Sequence, residues 1–283
     1  MRVLATGAYG FIGAHIVAAL VAAGHDVVCA VRGARLDTRF PGLDAIACDM
    51  ARDLRSEDWL PRLAGIEAVV NCAGILRERG ADSYAAAHEQ APLALFRACA
   101  QAGVRRVIQV SALGDPADGE FIASKHRADA ALAALELDWL VLRPSLVYSA
   151  HGSYGGSSLL RAQAGLPGLL PLPGRGAQPL QPIAVEAVGL AVVAALTRPQ
   201  VAREMLELVG PDTMSLRDYL LAWRRWLGFG RAYTLAVPMP LVRLACALGE
   251  HLGNGPLGNT IGRMLERGNA GAADAVPRLR ERL

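Results

Sequence analysis

The sequence predicts an α/β protein, a doubly wound parallel sheet followed by a smaller, mostly helical C-terminal lobe. Three observations carry this expectation. Over the first 148 residues, short apolar runs alternate with longer alanine-rich segments. The runs are nearly continuous rather than alternately polar, which suits strands covered on both faces. After Pro144 the alternation gives way to stretches rich in Gly and Pro, and then to helical spacing.

Taken in order, the apolar runs place strands at Arg2–Ala5, Asp26–Val31, Asp44–Cys48, Ala68–Asn71, Arg106–Ser111 and Trp139–Leu142. Helices are expected at Phe11–Ala23, Ser83–Ala102 and Glu120–Leu135, and the Asp26–Asp49 interval reads as mostly loop. Gly152–Gly156 and Pro167–Pro182 read as loops around a short helix, Ser157–Ala164. A helix at Val185–Leu196 and a strand at Met205–Val209 are expected to return to the sheet. The division is thus 1–148 for the sheet domain, with 185–209 rejoining it, and 149–283 for the lobe.

Beyond Gly210, Leu216, Tyr219, Leu220, Trp223 and Leu227 share one helical face. Leu241, Leu244, Leu248 and Leu252 share another, and core packing is the expectation for both. In the WRRW run, Trp223–Trp226, the tryptophans are expected inward and the arginines outward. The apolar run VPMPLVRLACAL would also suit a partner or a membrane surface, so peripheral membrane contact stays open. The tail from Gly268 is expected to be mobile.

Composition narrows the function classes. Hydrophobic residues make up 53% and charged residues 19%, with a net charge of +3 and scattered arginines. This argues against disorder and against nucleic-acid binding. No run of 18 apolar residues occurs, so no membrane span is expected, and a chain opening on a strand suggests no signal peptide. The five cysteines form no C-x-x-C pair and no metal spacing. Reduced, buried thiols in a cytoplasmic protein are the expectation.

The strongest motif is TGAYGFIG, Thr6 to Gly13, between the first strand and the first helix. Gly7 permits the turn, Gly10 lets the backbone approach a pyrophosphate, and Gly13 allows close helix–strand packing. Tyr9, Phe11 and Ile12 lie between them, and the free amides of the helix start suit an anion. The second strand ends at Val31 and is followed by Arg32, with Arg35 close behind, where an acid would bind a ribose. A guanidinium there suits the 2′-phosphate of NADP, so NADP is expected over NAD. Asp37, the nearest later acid, lies beyond the strand end.

With TGAYGFIG, the segments CDM (48–50), NCAGI (71–75), VSALG (110–114) and LRPSLVY (142–148) occur in an order that resembles the short-chain dehydrogenase/reductase superfamily. The resemblance is to its extended and atypical branches and covers roughly residues 1–210. VSALG and LPGRGAQPLQPIAVEAV (172–188) are most similar to the group around an accessory subunit of respiratory complex I and to NmrA-like proteins. It implies a Rossmann sheet, with Asp49 and Met50 near the adenine and Asn71, Ala73 and Gly74 lining the cofactor. Ser111 would orient a substrate carbonyl, and Pro144 and Ser145 would lie beside the nicotinamide. Cys72 reads as a packed thiol.

Active members carry Tyr-x-x-x-Lys on the helix after the fifth strand. Lys125, the only lysine of the chain, matches the lysine that holds the nicotinamide ribose. The tyrosine position holds Phe121, which has no proton to give. Tyr148, Tyr154, His126 and His151 are the alternative proton donors nearby in sequence. A second departure lies at 181–189, where Ala184, Glu186 and Ala187 replace the usual His-Val-Asp-Asp pattern. Two functions follow as expectations. One is an NADP-dependent oxidoreductase of a small carbonyl or hydroxyl substrate, bound between the sheet edge and residues 149–184. The other is a non-catalytic NADP-binding redox sensor or assembly factor for a protein partner.

Overall fold

The computed structural model describes residues 1–33, 39–198, 200–252 and 258–283. Arg35, Asp37 and the Leu252 side chain lie outside the described set. The first half reads β1 (Arg2–Thr6), α1 (Phe11–Ala22), β2 (Asp26–Val31), β3 (Asp44–Ala47), α2 (Ser56–Trp59) and β4 (Ala68–Asn71). A wide π turn, Ala85–Gln90, leads into α3 (Ala91–Ala102), then β5 (Arg106–Val110), α4 (Glu120–Ala133) and β6 (Asp138–Pro144). The second half continues with β7 (Val147–Tyr148), α5 (Gly156–Ala164), β8 (Leu169–Pro173), β9 (Pro179–Leu180), β10 (Ile183–Ala184), α6 (Val185–Thr197) and β11 (Glu204–Leu208). Then come β12 (Met214–Ser215), α7 (Leu216–Trp226), β13 (Tyr233–Val237), α8 (Met239–Leu252), α9 (Asn259–Arg267) and α10 (Ala275–Arg282).

Seven strands form one parallel sheet in the order β11-β6-β5-β4-β1-β2-β3. Every residue of β4 and β5 is buried, because helices cover both faces. On one face Ile16, Val17 and Leu20 of α1 meet Val188 and Val192 of α6. On the other, Trp59, Leu95, Phe96 and Leu132 form a second core cluster. Strand order reverses between β1 and β4, which opens a crevice at their C-terminal ends. A third cluster, around Leu160, Leu170, Leu172 and Leu220, builds the lobe over that edge.

Four expectations for the lobe give way. Pro167–Pro182 is not all loop: the lobe contains three two-stranded pairs, β10–β7, β12–β9 and β13–β8, of which the first two are only two residues long and the third is masked by the prolines of β8. The tail is docked: Arg278 and Arg282 reach Glu204 of β11 at 3.6 and 3.2 Å, and Leu279 and Leu283 pack on the core. Arg224 of the WRRW run points inward, donating to the carbonyls of Ala164 (3.0 Å), Leu166 (2.7 Å) and Gly230 (2.7 Å). Arg225 is exposed as expected, but Trp226 is turned out too, at 56% exposure. Helix α8 also inverts the expectation, with Leu241, Leu244 and Leu248 at least half exposed. Its inner face is small, and Cys246 packs on Gly262 of α9, where even a methyl group would come within 2.9 Å of the sulfur. Among the described residues no helix is long and apolar enough to cross a membrane.

Candidate active site

The loop from β1 to α1 is held by its glycines. Gly7 has a φ of +62°, and a side chain there would collide with the backbone of Cys72 and Ala73 at 2.9 Å. At Gly13 a Cβ would lie 2.1 Å from the Gly7 carbonyl oxygen, so helix and loop touch through backbone. The Gly10 amide donates to that same oxygen at 2.9 Å. No acidic side chain stands in the first turn of α1, and its cap is a glycine, so the helix start keeps its positive character.

Beside this loop lies a first cleft of about 250 Å³, lined by Gly7, Tyr9, Gly10, Val31, Arg32, Cys48, Met50, Ala73 and Gly74. Arg32 stands at its edge in a two-pronged contact with Asp82 (2.8 and 2.8 Å), with Asp49 3.5 Å behind it. The Asp82 hydrogen bond is the main cause holding the guanidinium pKa above its ordinary value. Asp49 thus backs Arg32, while its neighbour Met50 faces the cleft. Arg39 donates to the Tyr9 carbonyl at 2.8 Å and brings a second guanidinium to the loop.

A second cleft of about 400 Å³ shares Gly10, Gly74 and Ile75 with the first and runs towards the lobe. Phe11, Ile12, Gly13, Ser111, Phe121, Lys125, Pro144 and Ser145 all line it. Lys125 is buried, and a Cβ on Gly74 would meet its Nζ at 3.1 Å. The ammonium donates to the Val110 carbonyl across a long 3.4 Å. Burial lowers its pKa, against the pull of Asp129 and Cys72. The Cys72 thiol is pushed up to about 12 by burial, so it stays protonated and is no nucleophile at neutral pH.

Buried polar groups brace this wall. Asn71 is fully buried beneath the crevice; it accepts from Thr6 and donates to Gln109 at 2.7 Å, tying β1, β4 and β5 together. His88, on the π turn, accepts from the Ile75 amide at 3.0 Å through Nε2. Its Nδ1 is then the protonated nitrogen and donates to Ser124 of α4 at 2.9 Å. Burial, then the Lys125 charge, lower the His88 pKa to about 2, so the ring is neutral. Ser111 donates to Asp129 at 2.8 Å, and Arg143 pairs with the same carboxylate oxygen at 2.9 Å. The other oxygen of Asp129 is buried without a partner, and burial raises the pKa of the group.

The aromatic at the tyrosine position packs edge-on against His88 and Tyr84, with centroids 5.5 and 6.3 Å apart. Of the four alternative proton donors, Tyr154 borders the cleft, at 62% exposure. His126 donates to the Ala112 carbonyl at 3.0 Å, Tyr148 packs on Trp223, and His151 is exposed. Sequence reasoning missed His88, Asp82, Asp129 and Arg39. The spacing of four from Lys125 to Asp129 was the one local signal available.

The residues fit a dinucleotide: two joined clefts, an amide-rich glycine loop between them and a buried ammonium at the junction. Comparison with known proteins agrees. The sequence profile of the NAD(P)H-binding family matches residues 7–164. A ceramide reductase of Caulobacter vibrioides (strain NA1000 / CB15N) is 29% identical over 145 residues, covering 50% of this chain and 45% of that protein. The match therefore spans about half the length of that curated relative. Among solved structures, the UDP-glucose 4-epimerase of Thermus thermophilus complexed with NAD aligns over 100% of both chains, with a TM-score of 0.67 and 21% identity. The UDP-glucuronic acid 4-epimerase of Bacillus cereus, also with NAD, aligns over 84% of this chain and 86% of that one, with a TM-score of 0.67 and 19% identity. These structural likenesses show a shared fold.

Proposed function

This chain belongs to the NAD(P)H-binding family, and from that premise we propose that it is an oxidoreductase using NADP on a carbonyl or hydroxyl group of a small molecule. The observation that carries this reading is Lys125: the one lysine of the chain, buried at the junction of the two clefts. In this reading residues 1–148, with 185–209 returned to the sheet, hold the dinucleotide, and 149–283 close over the substrate. The amides of Gly7–Gly13 hold the pyrophosphate. Arg32 holds the 2′-phosphate, for which it must exchange part of its contact with Asp82. A bound nicotinamide supplies or takes up the hydride.

Lys125 has two tasks. Its ammonium donates to the ribose hydroxyls, and its lowered pKa makes it a readier acid than free lysine, able to protonate a carbonyl oxygen where Phe121 cannot. Ser111 donates its own proton to Asp129, so it turns lone pairs to the cleft and accepts from a substrate hydroxyl. The similarity to a ceramide reductase supports reduction as the reaction class. Five free cysteines, four of them buried, support a cytoplasmic setting.

A second reading, dinucleotide binding without turnover, is favoured by Phe121. Such a protein would act as a redox sensor or as an assembly factor for a partner. Oxidation of NADPH against a panel of ketones and aldehydes separates the two. Turnover by the parent chain supports the oxidoreductase. Binding without turnover in the parent, with activity appearing in Phe121→Tyr, would mark a site that holds the cofactor but lacks its acid.

A further inference from the structure

Beyond the glycine loop and Lys125, the lobe side of the second cleft is a poor place for a sugar or a phosphate. Among the described residues lining it, Lys125 is the sole charged side chain. The polar side chains are largely engaged elsewhere. Ser111 donates to Asp129, Ser145 to the Gln181 carbonyl at 2.5 Å, Ser157 to the Tyr154 carbonyl at 2.8 Å, and Asn269 to the Leu113 carbonyl at 3.3 Å. Apart from Tyr154, exposed at the border of the cleft, what remains facing inward is carbon. Leu76 and Phe121 stand on one side, Leu160 of α5 on another, and Ile261, Met264 and Leu265 of α9 complete the wall.

The arginines of the lobe do not serve the cleft. Arg161 lies over the Trp223 and Trp226 rings at 5.0 and 5.1 Å. Arg224 is buried on three carbonyls, and Arg243 pairs with Glu266 at 2.7 Å. Arg263 donates to the Ala117 carbonyl at 3.2 Å, and Arg267 pairs with Asp118. A diphosphate would enter this space with no guanidinium to meet it. These last two contacts also fasten α9 to the turn at Pro116–Asp118, so its apolar face is a fixed part of the wall.

We propose that this cleft takes a molecule with a long hydrocarbon chain, its carbonyl or hydroxyl at the Lys125 end and its chain running between α5 and α9. This rests on the oxidoreductase reading and names its substrate class. It also separates the chain from structural neighbours such as MoeE5, which was solved with UDP-glucose and NAD.

The test is an equilibrium titration of the full chain with straight-chain alcohols and methyl ketones of increasing length, with and without NADPH. Each added methylene should tighten binding about fourfold until the cleft is filled. Met264→Trp, which fills the space beneath α9, should abolish the gain for long chains and leave short-chain and NADPH affinities in place. Leu159→Gln, which puts an amide in the α5 wall at a half-buried position, should reduce the same gain independently. Affinity that ignores chain length, or binding of UDP-glucose tighter than that of any alkyl compound, overturns the proposal. A parent chain that binds no NADPH overturns the oxidoreductase reading instead, and the chain-length series then still decides what the cleft holds.

Discussion

Replacing Gly13 with alanine should damage cofactor binding out of proportion to its size. The new methyl carbon would sit 2.1 Å from the Gly7 oxygen and 2.9 Å from the Gly7 carbonyl carbon, where ordinary contact begins near 3.4 Å. The oxygen must therefore retreat by more than ~1 Å, a shift that backbone makes only by moving the whole loop. That movement breaks the Gly10–Gly7 hydrogen bond and presses Gly7 against Ala73, its neighbour across the crevice. Overpacking of this kind costs about 1–3 kcal/mol, and the lost bond adds roughly 0.5–1.5 kcal/mol. Helix propensity alone would act the other way, favouring alanine by about 1 kcal/mol. The expected result is a lower unfolding midpoint and NADPH affinity reduced by one to two orders of magnitude, read by nicotinamide fluorescence. Gly10→Ala, whose methyl meets the same oxygen at 3.1 Å, should be markedly milder. A Gly13→Ala protein that is more stable than the parent and binds NADPH equally well would show that the loop tolerates a side chain at this position.

Three further perturbations probe the same site. Asp82→Asn releases Arg32 from its carboxylate partner; the pair is largely solvated, so stability should change by less than about 1 kcal/mol. NADPH should bind several-fold tighter to this variant with NADH unchanged in parallel titrations, and an equal gain for both nucleotides would exclude Arg32 as the phosphate reader. Lys125→Met should be at least as stable as the parent at neutral pH, because burial of the ammonium is unfavourable, while losing cofactor affinity. Since the folded pKa lies below the 10.5 of free lysine, the parent gains stability as pH rises between those two values and the variant does not. His88 follows the same rule in a more acid window: its pKa falls from 6.5 to about 2, so the unfolded chain binds the extra proton. Stability from this group is intact above 6.5 and is lost on acidification, at roughly 1.4 kcal/mol per pH unit. His88→Gln should flatten that part of a melting-temperature profile, and an unchanged slope would show that the ring titrates normally.

The sheet was readable because buried parallel strands announce themselves as continuous apolar runs, and the glycine loop because Gly10 and Gly13 both close on the Gly7 carbonyl within the motif itself. What could not be read depends on partners distant in the chain. His88 meets Ser124 and Arg32 meets Asp82 across separations of 36 and 50 residues. Arg267 crosses 149 residues to Asp118, and without that contact α9 has no visible reason to wall a cleft. Leu241, Leu244 and Leu248 teach a different lesson. Helical periodicity shows that one face is apolar, yet α8 turns its smaller residues inward because Cys246 and Gly262 allow the closer approach. In the WRRW run a guanidinium found three carbonyls at loop ends, a use of arginine that no local pattern signals.

In the proposed reading the glycine loop and Lys125 still hold a nicotinamide dinucleotide although the tyrosine is gone. Calorimetric titration of the purified chain with NADPH, and separately with NADH, tests it most directly. Saturable one-site binding of NADPH, weaker binding of NADH, and loss of NADPH affinity in Lys125→Met are expected. Failure of the parent chain to bind either nucleotide would contradict that reading.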